Sequence, residues 1–407
     1  MLSYHTCPLA TLGGKDTGGM NVYVRDLTRQ LGSMGVQVDV FTRSQDEHVP
    51  HVLHDLGYGN RVVHIPAGPE SPVEKGELPQ YIPQFVSEIR DFVNLKDVRY
   101  DLIHSHYWMS GLAALDLKDH WGIPIVHMFH TLGVMKQRVA RSAEELEGQE
   151  RLSSEQNILR NADRIVAATP AELAQLQWLY QGDPKRIVII PPGVDLSRFY
   201  PIPPDEAKEF IGVPPCERML LFVGRIEPLK GLDTLIEAIS LMRERGELEK
   251  LPFCLSIIGG DPEGGTEYFD QEMARLQDLR DKYGLEELVT FLGKRSQDTL
   301  PYYYSAAEAV VVPSQYESFG MVALESMACG TPVVASQVGG LAYLVQDGIT
   351  GYTVPASEPG ALAERLTALL RDDGLRHHLG MRAAEFAQQY GWNIIAGQII
   401  NLYRGVL

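Results

Sequence analysis

Pro191–Pro204 reads PPGVDLSRFYPIPP, with five prolines in one short stretch. Proline fixes φ and removes a backbone donor, so this run suits neither a helix interior nor a central strand. It reads as a boundary, and similar patterns lie on either side of it. Before it, the short apolar or β-branched runs Val36–Thr42, Val62–Ile65, Leu102–His106, Ile123–Phe129, Ile165–Ala168 and Ile187–Ile190 alternate with amphipathic stretches such as Met20–Met34, Tyr81–Val93 and Ser153–Arg160. After it the alternation restarts, with Met219–Val223, Phe253–Ile258, Val289–Leu292, Ala309–Val312 and Pro332–Ala335 as further strands. The pattern predicts an α/β protein of two Rossmann-like, doubly wound parallel-sheet domains, residues 1–193 and 194–391. Helices are expected over Gly360–Leu370 and Asp373–Tyr390, and a final helix over 392–407. Ile394, Ile395, Ile399, Ile400 and Leu402 of that last helix need a partner surface, expected on the first domain. A full first strand needs several residues ahead of Ser3–Tyr4–His5, where only Met1–Leu2 stand. The first strand therefore reads as truncated.

The chain has 407 residues, 44% hydrophobic and 22% charged, with a formal net charge of -17. That describes two ordinary globular domains and argues against a nucleic-acid binder, which needs a basic footprint. If the substrates are anionic, the cations that hold them are few and local. The four cysteines, Cys7, Cys216, Cys254 and Cys329, show no CxxC pair or metal-like spacing. They read as isolated thiols in a reducing compartment. No apolar run is long enough to span a membrane, and the N-terminus shows no signal peptide. The expected location is cytoplasmic.

Three segments carry candidate chemistry. Gly13–Gly14–Lys15–Asp16–Thr17–Gly18–Gly19–Met20 lies between the first strand and a helix starting near Asn21. Glycines let the backbone approach a phosphate and a helix N-terminus offers free N–H donors, although an ordinary tight turn explains it equally well. Phe222–Val223–Gly224–Arg225–Ile226–Glu227–Pro228–Leu229–Lys230–Gly231 places two cations around a strand-to-helix turn, a suitable site for a diphosphate that gains charge on leaving. Two solvated surface cations are the ordinary alternative. Pro313–Ser314–Gln315–Tyr316–Glu317–Ser318–Phe319–Gly320–Met321–Val322–Ala323–Leu324–Glu325 carries one carboxylate in a loop and another two helical turns along. Such carboxylates accept hydrogen bonds from sugar diols, and the amides of Phe319–Val322 open a helix and can meet a phosphate. His104, His106, His127 and His130 suggest a metal cluster, but no cysteine or carboxylate sits at ligand spacing, so metal is the weaker reading.

The Arg225–Lys230 pair and the Glu317–Glu325 spacing, with Gly330–Ala335 and Gly339–Gly340 behind them, resemble the signature of the retaining glycosyltransferases of GT-B fold (glycosyl transferases group 1). That family includes sucrose-phosphate synthase. Thr17–Tyr23, Asp101–Trp108 and His130–Leu132 are most similar to its inositol-phosphate N-acetylglucosaminyltransferase branch, which opens mycothiol biosynthesis. The resemblance implies two domains facing a cleft, with the acceptor on the first and a UDP-sugar on the second. It implies a donor set of Gly18, Gly19, Arg225, Lys230, Arg295, Glu317, Ser318, Phe319, Gly320, Met321, Val322 and Glu325. His130, Arg225, Lys230 and Glu317 carry the catalysis, with His130 against the donor hexose. Asn21, Lys75, Tyr107, Thr131 and Arg151 form the acceptor set, the last four around its phosphate. Taken singly, Lys75 reads as a loop residue, and Arg151 follows a charge run (Glu144, Glu145, Glu147, Glu150) that is most simply a solvated helix face.

The resulting expectation is a metal-independent retaining transfer of a hexose or N-acetylhexosamine from a UDP-sugar to a small phosphorylated acceptor such as inositol phosphate. The UDP-sugar is a substrate and no cofactor is needed. No residue is nominated as the carboxylate nucleophile of a covalent intermediate, which favours attack from the leaving-group face. Sucrose-phosphate synthase, using UDP-glucose and fructose 6-phosphate, is the alternative within the family; its members usually carry glutamine after the paired glycines, where this chain has Met20–Asn21. A UDP-N-acetylglucosamine 2-epimerase is the alternative from another class. A membrane-surface transferase needs a basic amphipathic helix, and Tyr81–Arg99 is mixed in charge. A homodimer is compatible with the sequence, which does not read out an oligomeric state.

Overall fold

The computed structural model describes residues 1–10, 17–140, 146–212, 218–247, 251–260 and 267–407. Gly13–Asp16 of the glycine-rich segment, Glu144, Glu145 and Cys216 lie outside them. The chain divides into two compact units. The first holds the described residues up to Gly193 together with Trp392–Leu407, and the second is Val194–Gly391.

The first unit contains β1 (Asp39–Arg43), β2 (Val52–Leu53), β3 (Arg61–Ile65), β4 (Ile103–His106), β5 (Ile125–Met128), β6 (Arg164–Ala167) and β7 (Ile187–Ile189). They pair in the orders β1-β3-β2 and β4-β5-β6-β7, and only β2 runs antiparallel to its neighbour. Residues 1–4 join the two sets. Leu2 N–H donates to the His104 carbonyl and Ser3 N–H to Phe41, while Phe41 and His106 donate back to Met1 and Leu2, all at 2.9–3.0 Å. Short as it is, the first strand thus bonds on both edges. Its neighbours lead in opposite directions across the sheet, which makes its carboxyl end a topological switch point where ligands bind in such folds. β1, β4 and β5 are buried at every position, as strands covered on both faces are.

The helix Trp392–Arg404 belongs to this unit and buries Trp392, Ile395, Ile399, Leu402 and Tyr403. Tyr403 Oη lies 2.7 Å from His104 Nδ1. Of the apolar residues expected to be covered, Ile394 stays 42% exposed, because its helical position falls outside the buried stripe.

The second unit holds β8 (Arg218–Val223), β9 (Phe253–Ile258), β10 (Val289–Gly293), β11 (Ala307–Val312), β12 (Val333–Ser336) and β13 (Gly351–Val354). The order is β10-β9-β8-β11-β12-β13, parallel throughout. Here the switch point lies between β8 and β11. The segments leaving those two strands are Gly224–Gly231 and Pro313–Gly320, so chain topology brings the two motifs together.

β2 and β13 are additions to the strands expected from the sequence. One is only two residues long, and the other depends on Gly351, where a Cβ would stand 2.1 Å from the Val333 carbonyl oxygen. The reading of four isolated thiols is corrected at Cys254, which is disulfide-bonded; spacing along the chain says nothing about separation in space. Cys7 and Cys329 are free thiols. Among the described residues, no helix is long and apolar enough to cross a membrane.

Candidate active site

In the second unit, β8 ends in a turn that Gly231 makes possible. Its φ is 66°, and an added Cβ would stand 2.1 Å from the Pro313 carbonyl oxygen. The Gln315 N–H donates to the Leu229 carbonyl at 2.8 Å, which ties the two motif segments edge to edge. Across this seam Lys230 Nζ donates to Glu317 Oε2 at 2.6 Å. Arg225 Nη1 meets Glu227 Oε1 at 2.6 Å. Both cations stay partly exposed, 34% for the side chain of Arg225 and 20% for that of Lys230.

Gly339 and Gly340 press against the Glu317 loop. The Gly340 N–H donates to the Glu317 carbonyl at 2.9 Å, and a Cβ on Gly339 would come within 2.0 Å of the same oxygen. Ser318 Oγ lies 3.1 Å from Tyr316 Oη, and Phe319 packs on Tyr390. The helix Met321–Ala328 follows Gly320 (φ 105°). Its first intrahelical bond is donated by Leu324, so the amides of Met321 and Val322 precede that ladder. Glu325 is only 5% exposed and accepts from the buried Tyr304 Oη at 2.7 Å. Arg295 packs against Tyr303, with Nε donating to its Oη at 2.9 Å.

In the first unit, the residues expected around the acceptor phosphate gather at one ring. Lys75 Nζ lies 5.1 Å from the Tyr107 ring centroid and the Arg151 guanidinium 5.0 Å, both within cation–π range. Arg151 Nη2 also donates to the Thr131 carbonyl and Oγ1, at 3.0 and 3.1 Å. Lys75, Tyr107, Thr131 and Arg151, from four separate segments, therefore form one cluster. Burial works against the Arg151 charge, but Tyr107, Glu155 and Glu147 outweigh it and hold its pKa above the usual arginine value.

Tyr107 and His130 leave the ends of β4 and β5 with φ of 74° and 61°. Such backbone costs on the order of 1–3 kcal/mol for a non-glycine residue and concentrates at functional sites. His130 Nε2 lies 3.1 Å from His106 Nδ1. Burial drives the pKa of both His127 and His130 down to about 3, and lowers His104 and His106 for the same reason. The four imidazoles are therefore neutral, and among the described residues no metal-binding group of three or more His, Cys, Asp or Glu forms. Asn21, expected among the acceptor ligands, hydrogen-bonds within its own loop. Its Nδ2 donates to Thr6 Oγ1 and the Cys7 carbonyl at 2.7 Å, and its Oδ1 accepts from Gly18 N–H at 2.9 Å. It braces the turn at Gly18 and Gly19, where the helix Gly19–Ser33 begins.

Residues 204–386 match the model of the glycosyl transferases group 1, and residues 17–198 that of glycosyltransferase family 4. The chain is 40% identical over 406 residues to the D-inositol 3-phosphate glycosyltransferase 2 of Catenulispora acidiphila, covering 99% of this chain and 93% of the relative. It belongs to the group 1 glycosyltransferases. A second relative, the D-inositol 3-phosphate glycosyltransferase of Frankia alni, is 38% identical over 99% of this chain and 98% of its own. Among solved structures, the sucrose-phosphate synthase of Thermosynechococcus elongatus superposes with a TM-score of 0.90 at 35% identity, covering 99% of this glycosyltransferase and 97% of that chain. The two-domain GT-B fold of the family is the fold described above.

The cluster around Tyr107 also draws on residues that the sequence does not single out. Glu155 is fully buried and accepts from Arg151 Nε at 2.8 Å, from the Gly133 N–H at 3.0 Å, and from Tyr180 Oη. Glu147 accepts from Arg151 Nη1 at 2.7 Å and from Lys136 at 3.1 Å. Within the charge run expected to be a solvated helix face, Glu150 is exposed, but Glu147 is held by two cations and Arg151 is buried. The spacing of Glu147, Arg151 and Glu155, each four residues from the next, is the signal in the sequence that points to this.

Proposed function

We propose that this glycosyltransferase moves a hexose or N-acetylhexosamine from a UDP-sugar to a small phosphorylated polyol of the inositol phosphate type, with retention at the anomeric carbon. The observation that carries this reading is the convergence of Lys75, Tyr107, Thr131 and Arg151. Two cations and two hydroxyls placed together suit a phosphate through charge-assisted hydrogen bonds. The relatives named for inositol 3-phosphate support the choice of acceptor.

In this scheme Arg225 and Lys230 hold the diphosphate of the donor, with the amides of Met321 and Val322 as further donors. Glu317 orients Lys230 and accepts from sugar hydroxyls. His130, neutral and braced by His106, offers a hydrogen bond to the hexose. Charge that grows on the departing β-phosphate is stabilised by Arg225 and Lys230 in place of a metal, and the same phosphate takes the proton of the incoming hydroxyl. Same-face attack needs no carboxylate nucleophile.

The test is a screen of UDP-, GDP- and ADP-sugars against inositol phosphate, fructose 6-phosphate and unphosphorylated inositol, with and without EDTA. UDP release with inositol phosphate, unaffected by EDTA, and an anomeric configuration unchanged by NMR are expected. Fructose 6-phosphate as the better acceptor favours the second reading, which the likeness to sucrose-phosphate synthase supports. Turnover without an acceptor points to an epimerase instead.

A further inference from the structure

Arg151 is almost enclosed, with 3% of its side chain exposed. Four of its five N–H groups are committed within the chain: Nε to Glu155, one Nη1 hydrogen to Glu147, and Nη2 to the carbonyl and hydroxyl of Thr131. An arriving phosphate finds at most one Nη1 hydrogen open, and the group beside it is the Glu147 carboxylate.

The two carboxylates on Arg151 are built differently. Glu155 is fully buried and also satisfies Gly133 and Tyr180, so it is part of the frame. The Glu147 side chain is 20% exposed and, among the described residues, bridges only two cations, Arg151 at 2.7 Å and Lys136 at 3.1 Å. Its main chain is pinned, since Gln137 Nε2 donates to the Glu147 carbonyl at 2.9 Å. Burial raises its pKa, but Arg151 and then Lys136 outweigh that and keep it below the ordinary glutamate value. One oxygen shared between an arginine and a lysine is the coordination a phosphate oxygen takes.

We infer that Glu147 is a placeholder anion that tunes the affinity for the acceptor phosphate: it occupies the phosphate position between Arg151 and Lys136, and a phosphorylated acceptor enters by displacing it. Lys136 then becomes a ligand of the acceptor phosphate. A dianionic phosphate restores the charge balance that the departing carboxylate leaves, whereas a neutral polyol would strand two cations against a partly buried site. The chain's own glutamate therefore holds the affinity for phosphorylated acceptors below what the cations alone would give, and only an anion can take its place. This rests on the phosphorylated-acceptor reading above.

The test compares the full-length wild type with Glu147→Gln, and with Glu147→Asp, which withdraws the carboxylate by one methylene. Inorganic phosphate alone is titrated by calorimetry, and KM is measured for inositol phosphate and for inositol. Both variants are expected to bind phosphate roughly three- to tenfold more tightly, the scale of one partly exposed charge contact. The change should appear in KM for the phosphorylated acceptor rather than in kcat, and Lys136→Met should raise that KM. Phosphate affinity that is unchanged or weaker in both variants overturns the inference and leaves Glu147 a structural tie. A wild type that turns over inositol as well as inositol phosphate overturns the acceptor reading and this inference together, so the two failures are distinguishable.

Discussion

The two halves of the proposed chemistry use the same kind of group in opposite ways. In the first unit Arg151 is buried, flanked by Glu147 and Glu155 and stacked on Tyr107. In the second unit Lys230 and Arg225 each face a carboxylate and stay partly in solvent. A buried cation has lost its water and depends on its partners for stability; a half-exposed one keeps much of its hydration, and its pair contributes little to folding. The cluster around Tyr107 is thus part of the fold, and the turn bearing Arg225 and Lys230 is a partly exposed surface feature.

Removing the anchor of the first cluster should have the largest effect. Glu155→Ala leaves Arg151 short of an anion and deprives the Gly133 N–H and the Tyr180 O–H donor of their acceptor, and is expected to cost about 3–5 kcal/mol, read as a lower urea midpoint. A loss below about 1 kcal/mol would erase the distinction between the units. Lys230→Ala should lower kcat on the order of a hundredfold or more, with a melting temperature close to wild type; a large fall in melting temperature would make that turn structural too. Gly339→Ala forces a Cβ towards the Glu317 carbonyl at a φ of 45°. It should cost roughly 1–3 kcal/mol and weaken donor binding by shifting the Glu317 loop, while phosphate binding at the first unit stays unchanged.

The smallest expected effect is a pH dependence confined to the first unit. Burial holds the folded pKa values of His64, His104, His106, His127 and His130 below the ordinary imidazole value of 6.5, at about 3 for His127 and His130. Below pH 6.5 the unfolded chain takes up protons that the native imidazoles refuse, so stability falls as pH drops from 6.5 towards 3. Glu172 opposes this. Burial raises it from 4.5 to about 7, so its contribution is full below pH 4.5 and is lost as pH rises to 7. Five histidines against one glutamate should leave the urea midpoint lower at pH 5 than at pH 7. A flat profile would show that the native imidazoles take up protons as readily as those of the unfolded chain.

Much of the fold is legible along the chain. Met219–Val223 is a plain apolar run and becomes the core of β8, and the glycine, arginine, lysine and glutamate positions of the two motifs stand out by type and spacing. Other features are not legible there. Asn21 has the position of an acceptor ligand, but its amide is held by Thr6, Cys7 and Gly18. Glu325 keeps the expected helical spacing from Glu317, yet Tyr304 accompanies it in the interior. Glu147 and Glu155 lie in or beside what reads as an ordinary charge run, and only the burial of Arg151 between them gives each a distinct task.

The sequence by itself determined the alternation of strands and helices, the break at Pro191–Pro204, and which segments bear phosphate-binding residue types. These depend on hydrophobic period and backbone chemistry, which act over a few neighbouring residues. Only the tertiary structure decided that Lys75, Thr131 and Arg151 share the surroundings of Tyr107, and that one glutamate anchors this cluster while another sits at its edge. Pairing and burial of charge depend on distances in space, and those distances are set by which strands the sheet places side by side.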